Sequence, residues 1–195
     1  MAVRRIRIYG DPVLHRKAAR VREIDRDLRR LLDDMAETML DAPGLGLAAP
    51  QVGESVRAIV VCDSAGEDEQ RVCQIINPRV RSTEGEQRGM EGCLSLPTLH
   101  AEVTRPMKVV VTGIGPEGEE VRVEGEGLLA RALLHEIDHL EGVVFSERAD
   151  RDTLAWMVPD QEEEGGYRLK PTTMEDVEKA FERMRRRQEE REAGR

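Results

Sequence analysis

Aromatic residues are nearly missing from this chain: one tryptophan, two tyrosines and two phenylalanines make up 3% of its 195 residues. A core must therefore be built from Leu, Val, Ile, Met and Ala. Cysteine is scarce as well, and Cys62, Cys73 and Cys93 are an odd number, so they supply no disulfide framework. No apolar run approaches the roughly 18 residues that a bilayer-spanning helix needs. The amino-terminal MAVRRIRIYGDPVLHRKA has arginines with no apolar stretch behind them, so it is not expected to act as a secretory signal. Positive charge is in deficit, and a net charge of −9 argues against nucleic acid as a general partner. These absences lead to the expectation of a cytoplasmic protein with no membrane and no DNA partner.

Charge itself is plentiful, at 35% of residues against 39% hydrophobic, which implies an ionic surface over a lean core. The length fits one compact domain with a tail. Asp11-Pro12 supplies the cap and first-turn proline of a short helix. A longer helix is expected from Asp25 to Ala42, with Leu28, Leu31, Leu32, Met35, Met39 and Leu40 at helical spacing and Pro43-Gly44 as its stop. Short β-like runs follow at Val56–Cys62, Val72–Asn77, Met107–Ile114 and Glu120–Val123. Near residue 126 the period changes, and Leu128, Leu129, Ala132, Leu133, Ile137 and Leu140 mark a mostly buried helix that Gly142 ends. The run PDQEEEGGY, Pro159 to Tyr167, has turn residues and no apolar period, so residues 158–172 are expected to form a mobile acidic linker after a domain spanning 1–157. Thr172 or Thr173 then caps a charged helix within 173–195, with Met174, Val177, Phe181 and Met184 as its apolar stripe. Strands and helices in separate blocks predict an α+β fold.

The chemistry concentrates in HEIDHLEG, His135 to Gly142. Positions four apart on a helix share a face, so His135 and His139 can offer imidazoles to one metal ion, while Glu136 can act on an activated water without being a ligand. A bare HExxH also arises by chance, and two ordinary histidines are the plain alternative. A buried helix carrying two histidines, Glu136 and Asp138 nevertheless needs partners for all of them, with Asp138 as a further acceptor or a member of an ion pair. A third ligand is available in EGCLSLP, where Cys93 follows Gly92 in a polar turn; Cys62 and Cys73 sit in apolar runs and read as ordinary buried thiols. Two imidazoles and one thiolate leave a tetrahedral ion one open position, which is the arrangement of a catalytic site.

GLGLAAPQVG (Gly44–Gly53), EGCLSLP (Glu91–Pro97) and HEIDHLEG (His135–Gly142) occur in that order, supported by YGDPVLH, INP and GLLARALLHEIDH. With this ordered set the chain resembles the peptide deformylase family over roughly residues 3 to 150. The resemblance implies small antiparallel or mixed sheets around a central metal-binding helix, with further helices at both ends. It makes Cys93, His135 and His139 the metal ligands and Glu136 the catalytic acid/base. Gln51 and the Leu94 backbone N–H become the oxyanion donors. It further implies one divalent ion, ferrous iron (Fe2+) in the cell with Zn2+, Ni2+ or Co2+ also suited to these ligands. The substrate would be an N-formylmethionyl nascent peptide. Small residues let a peptide backbone approach, so Leu45, Gly46 and Leu47 are suited to pair with it as an added strand, with Gly44 beside them among the substrate-binding positions, although a plain turn is the simpler reading of that segment alone. By resemblance, Leu45, Gly89, Glu91, Leu128, Arg131, Ala132 and His135 line the methionine pocket. Leu134 stands where the family usually has glutamine, which is expected to alter packing and leave the chemistry intact.

Two rival readings remain at the level of sequence. A zinc peptidase of the HExxH type would need a downstream third ligand, for which Glu147 is the candidate. A catalytically silent scaffold would be expected to have lost a ligand or the glutamate. His15 and His100 read as ordinary histidines. The terminal ERMRRRQEER places Arg183, Arg185, Arg186, Arg187 and Arg191 on a helix that could touch ribosomal RNA; the alternative is a solvated face pairing them with Glu182, Glu189, Glu190 and Glu192.

Overall fold

The computed structural model describes residues 2–63, 71–163 and 165–193, with the side chains of Gln188, Glu189, Arg191, Glu192 and Ala193 outside the description. Helix α1 (Arg26–Asp41) starts at Asp25, whose carboxylate accepts from the Leu28 backbone N–H at 2.8 Å and so satisfies a donor the helix leaves free. Leu28, Leu31, Leu32, Met35 and Met39 are buried as their spacing predicts. Leu40 is not: it lies about 100° further round the helix than Met39 and is exposed. Asp34 and Thr38 are buried on α1 because they accept from the backbone and guanidinium of the amino-terminal segment, through Ala2 and Arg4.

Among the described residues nine strands follow: β1 (Gly46–Ala48), β2 (Ala58–Asp63), β3 (Arg71–Glu84), β4 (Gln87–Cys93), β5 (Leu96–Arg105), β6 (Lys108–Ile114), β7 (Glu120–Glu126), β8 (Ala155–Pro159) and β9 (Tyr167–Pro171). They form two antiparallel sheets, ordered β1-β2-β3-β6-β7 and β4-β5-β8-β9. The fold is α+β, as expected. β3 runs well past Asn77, through Pro78, because its register with β6 shifts between Ile76 and Arg79, and a bulge tolerates a residue with no N–H to donate. Asn77 itself has a φ of 51°, and its side-chain amide both donates to and accepts from the backbone of Val21.

Helix α2 (Leu128–Leu140) has two faces with different partners. Ala130, Leu133, Ile137 and Leu140 pack on the five-stranded sheet against Ile59, Val61, Ile75 and Val111. The other face, turned to β4 and β5, buries Arg131, His135, Asp138 and His139, while Glu136 is buried against Gly46 of β1. Gly142, at a φ of 77°, follows the helix end as predicted. Leu128, expected within the buried stripe, is exposed at the first position of the helix. Leu134 packs on the same apolar cluster as Leu133.

The tail departs from the expected linker. β8 joins β5 through Leu99–Trp156 and His100–Ala155, and β9 pairs along the whole of β8, with Gly165 and Gly166 in the turn. Every residue of β9 is exposed, so no apolar alternation marks it as a strand. Thr173 caps α3 (Met174–Ala193) by accepting from the Asp176 N–H, whereas the Thr172 hydroxyl accepts from the Trp156 indole. Val177 and Phe181 are buried against Leu14, Leu96, Leu99 and Phe145, while Met184 is exposed. The Phe181 ring also meets the rings of Tyr9 and Trp156, at 5.6 and 5.9 Å, so scarce aromatics are spent on anchoring this helix. Arg185 donates to the Gly10 carbonyl at 2.7 Å and Arg186 pairs with Glu182 one turn back; the roles expected for Glu189, Arg191 and Glu192 fall outside the described side chains. No helix among the described residues is long and apolar enough to cross a membrane.

Phe181→Ala should lower unfolding free energy by about 3–5 kcal/mol, the usual cost of emptying an aromatic core position. Denaturant titration followed by circular dichroism checks this, and a loss under about 1 kcal/mol would mean that α3 is only loosely seated.

Candidate active site

The polar face of α2 is buried, so each of its side chains must find a partner. His135 and His139 stand one turn apart, and Cys93 is the last residue of β4. Their ligand atoms all lie within 4.8 Å of one another, with Cys93 Sγ 3.2 Å from His139 Nε2. The Nδ1 atom of His135 is 3.0 Å from Glu91 Oε2, so as the donor of that bond it leaves Nε2 for the centre. A soft thiolate with two imidazoles is a donor set that fits one divalent transition metal ion and leaves a coordination position open.

Behind the ligands lies a chain of buried charges. Arg105 clamps Glu91 with two parallel hydrogen bonds, at 2.7 and 2.9 Å, and reaches Asp138 with Nη1 at 2.6 Å. Arg131 Nη1 donates to Glu91 at 2.7 Å and to the Val103 carbonyl at 2.9 Å. Asp138 also accepts a fork from Arg148, so the expected partner of this residue is an ion pair. Burial alone would raise the pKa of Glu91, but hydrogen bonds from Arg105 and His135, then their charges, hold it well below the usual carboxylate range. Burial likewise works against the Arg105 guanidinium and is outweighed by Glu91 and Asp138.

The two histidines are pushed in opposite directions. Burial and the positive charges of His135 and Arg105 keep His139 neutral, the form that binds metals. Burial also disfavours the His135 imidazolium, yet Cys93 and Glu91 outweigh it and raise its pKa well above the usual value. Glu136 has its pKa pushed up to about 7, chiefly by burial and against the pull of His135 and Arg105. Its Oε2 has no hydrogen-bond partner among the described residues. Gly46 makes room for it: a β-carbon there would lie 2.7 Å from Glu136 Cγ and closer still to Oε1.

Gln51 is held in a short turn, Ala49–Val52, after β1. Its Oε1 accepts from the Ala48 N–H at 2.7 Å, which turns Nε2 toward Cys93 Sγ at 3.5 Å and Ser95 Oγ at 3.3 Å. Leu94 and Ser95 form the two-residue turn between β4 and β5.

A cleft of about 510 Å³ opens onto the centre. Gly44, Leu45, Gly46, Leu128 and Ala132 line it, and Glu91 and Arg131 contribute to its wall although their charged heads are engaged in the network. Gly89 sits behind that wall, its carbonyl accepting from Arg131, and Leu47 is fully buried in the core. Sequence reasoning missed Met90 and Thr98 on the lining and placed His100 among ordinary histidines, though it too faces the cleft. Thr98 has a φ of 63°, an uncommon value for a β-branched residue. His15 is exposed and meets the Tyr9 ring edge-on. Arg105 left no signal at all, since its partners lie 14 and 33 residues away.

Residues 3–154 match the family model described as polypeptide deformylase. The peptide deformylase of Natranaerobius thermophilus is 54% identical over 151 residues, covering 77% of this chain and 94% of that protein. The one from Thermomicrobium roseum is 50% identical over 169 residues, covering 84% and 96%. Among solved structures, peptide deformylase from Legionella pneumophila superposes with a TM-score of 0.72 at 42% identity, covering 76% of this chain and 87% of that one. The Thermus thermophilus enzyme does so at 0.70 and 46%, covering 75% and 85%. Sequence, fold and the Cys-His-His cluster agree, and this chain belongs to the peptide deformylase family.

Proposed function

We propose that the chain hydrolyses the formyl group from the amino-terminal methionine of newly made proteins, with Cys93, His135 and His139 holding the metal and Glu136 moving the proton. One observation carries this reading: a cysteine sulfur and two imidazoles converge beside the buried Glu136, whose Oε2 has no partner among the described residues. A divalent ion held there supplies Lewis acidity and brings the pKa of water toward neutrality. Glu136 takes the proton of the attacking water, which adds to the formyl carbon. Gln51 Nε2 and the Leu94 N–H stabilise the charge that gathers on the formyl oxygen. Glu136 then returns the proton to the departing amine as the C–N bond breaks, giving formate and a free amino terminus. Its elevated pKa suits both halves of that transfer.

β1 is an edge strand, so the peptide backbone can add to it through Gly44–Gly46, with the methionine side chain directed toward Leu128, Arg131 and Ala132. Ferrous iron is the ion we assign in the cell, with zinc, nickel or cobalt chemically able to replace it. Nascent chains are made in the cytoplasm, and that is where this activity belongs. The peptidase alternative loses support because Glu147 is exposed and turned to the Val144 N–H and His15, away from the centre. A silent scaffold would be expected to have lost a ligand or the glutamate, and Cys93, His135, His139 and Glu136 are all present. Ribosome contact through α3 draws on the exposure of Arg183, Arg186 and Arg187, but Arg185 and Arg186 already have partners in the protein. Truncating α3 would uncover the core around Phe181, so charge substitutions suit that question better.

Glu136→Gln should bind metal at the parent stoichiometry and lose ~10²–10⁴-fold in kcat. Elemental analysis and formate release on one sample check both halves; turnover at the parent rate would remove Glu136 from the mechanism. Gly46→Ala should also keep the metal yet lower kcat on the order of 10²-fold, because the added methyl displaces the Glu136 carboxylate. Unchanged kcat would mean that Glu136 works from another position.

A further inference from the structure

We infer that Ser95 is a positioning residue whose hydroxyl sets the direction of the oxyanion donor. This rests on the reading of Gln51 given above. The Gln51 amide is buried, and its Oε1 is fixed by the Ala48 N–H, which decides which end of the amide is nitrogen. The nitrogen carries two hydrogens. Ser95 Oγ, itself fully buried, lies 3.3 Å from Nε2 and accepts one of them. The other is then directed toward Cys93 Sγ, 3.5 Å away, the side of the centre on which the proposed mechanism puts the formyl oxygen. Without the hydroxyl, a buried N–H would be left unpaired, and the broad final torsion of a glutamine would let the amide turn away from the centre.

The same bond joins two distant pieces of chain, since Gln51 and Ser95 are separated by 44 positions. Gln51 comes from the turn after β1, and Ser95 from the turn that presents the Leu94 N–H. Tyr9 steadies that second turn by donating its backbone N–H to the Ser95 carbonyl at 2.8 Å. One hydroxyl therefore ties both oxyanion donors into a single frame.

Ser95→Ala should lower kcat roughly three- to tenfold, with KM changed by less than about twofold and metal content unchanged. Gln51→Ala alone should lower kcat by roughly 10²-fold. In that background Ser95→Ala should cost less than about twofold, because a residue acting through Gln51 has nothing left to position. The side-chain NH2 signals of Gln51 in 15N NMR, identified by their loss in Gln51→Ala, should move in Ser95→Ala. Equal losses in the two backgrounds, or unmoved amide signals, would overturn the inference about Ser95 while leaving Gln51 in its role. No kcat effect of Gln51→Ala would overturn the oxyanion reading, and this inference with it. Should Ser95→Ala not fold, the near-isosteric Ser95→Thr and Ser95→Val carry the same comparison, with only the threonine keeping kcat and the amide signals near those of the parent.

Discussion

Glu91 accepts from Arg105, Arg131 and His135 while almost entirely removed from water. A charge buried in this way costs several kcal/mol, and only well-aligned partners make it tolerable. Those partners come from β5 and from two successive turns of α2, with Glu91 itself on β4. A single carboxylate therefore fixes the helix of the two histidines against the strand that ends in the cysteine. The metal centre inherits its geometry from that constraint. Arg105 extends it to Asp138, and Asp138 extends it to Arg148 at the surface.

The apolar side of α2 completes the arrangement. With Leu133 and Leu140 seated on the five-stranded sheet, the helix cannot turn its histidines elsewhere without emptying the core. The cleft then falls where the free edge of β1 approaches the β4–β5 turn. Gly46 lets the Glu136 carboxylate stand close to the strand on which the substrate is expected to lie. Cleft, Glu136 and the Cys-His-His cluster are thus brought together by two sheets meeting across one helix.

Much of this was legible in the sequence, for identifiable physical reasons. His135 and His139 fall on one face because helical spacing requires it, and the ends of α1 and α2 were marked by Asp25 and Gly142. β4 and β5 were not read as strands. In β5 Leu99, Ala101 and Val103 do alternate with polar residues up to the charged Arg105, so that signal was present and passed over. In β4 the one buried position is Glu91, so its inward side reads as charged and the compensation comes from residues far along the chain. β9 was hidden for the opposite reason, having no buried residue. Leu40 and Leu128 looked like core from spacing alone, but one lies off the stripe and the other at the mouth of the cleft. The orientation of Gln51 could not be read either, since it depends on a backbone N–H and on a hydroxyl from another turn.

Glu91 is expected to hold His135 ready for a metal ion. The most direct measurement is the metal dissociation constant of Glu91→Gln beside the parent, by competition with a chelator at pH 7, on protein shown to be folded by circular dichroism. Binding should weaken by roughly 10- to 100-fold, the usual cost of losing the carboxylate behind a ligating histidine. A folded Glu91→Gln that binds metal as tightly as the parent would contradict it.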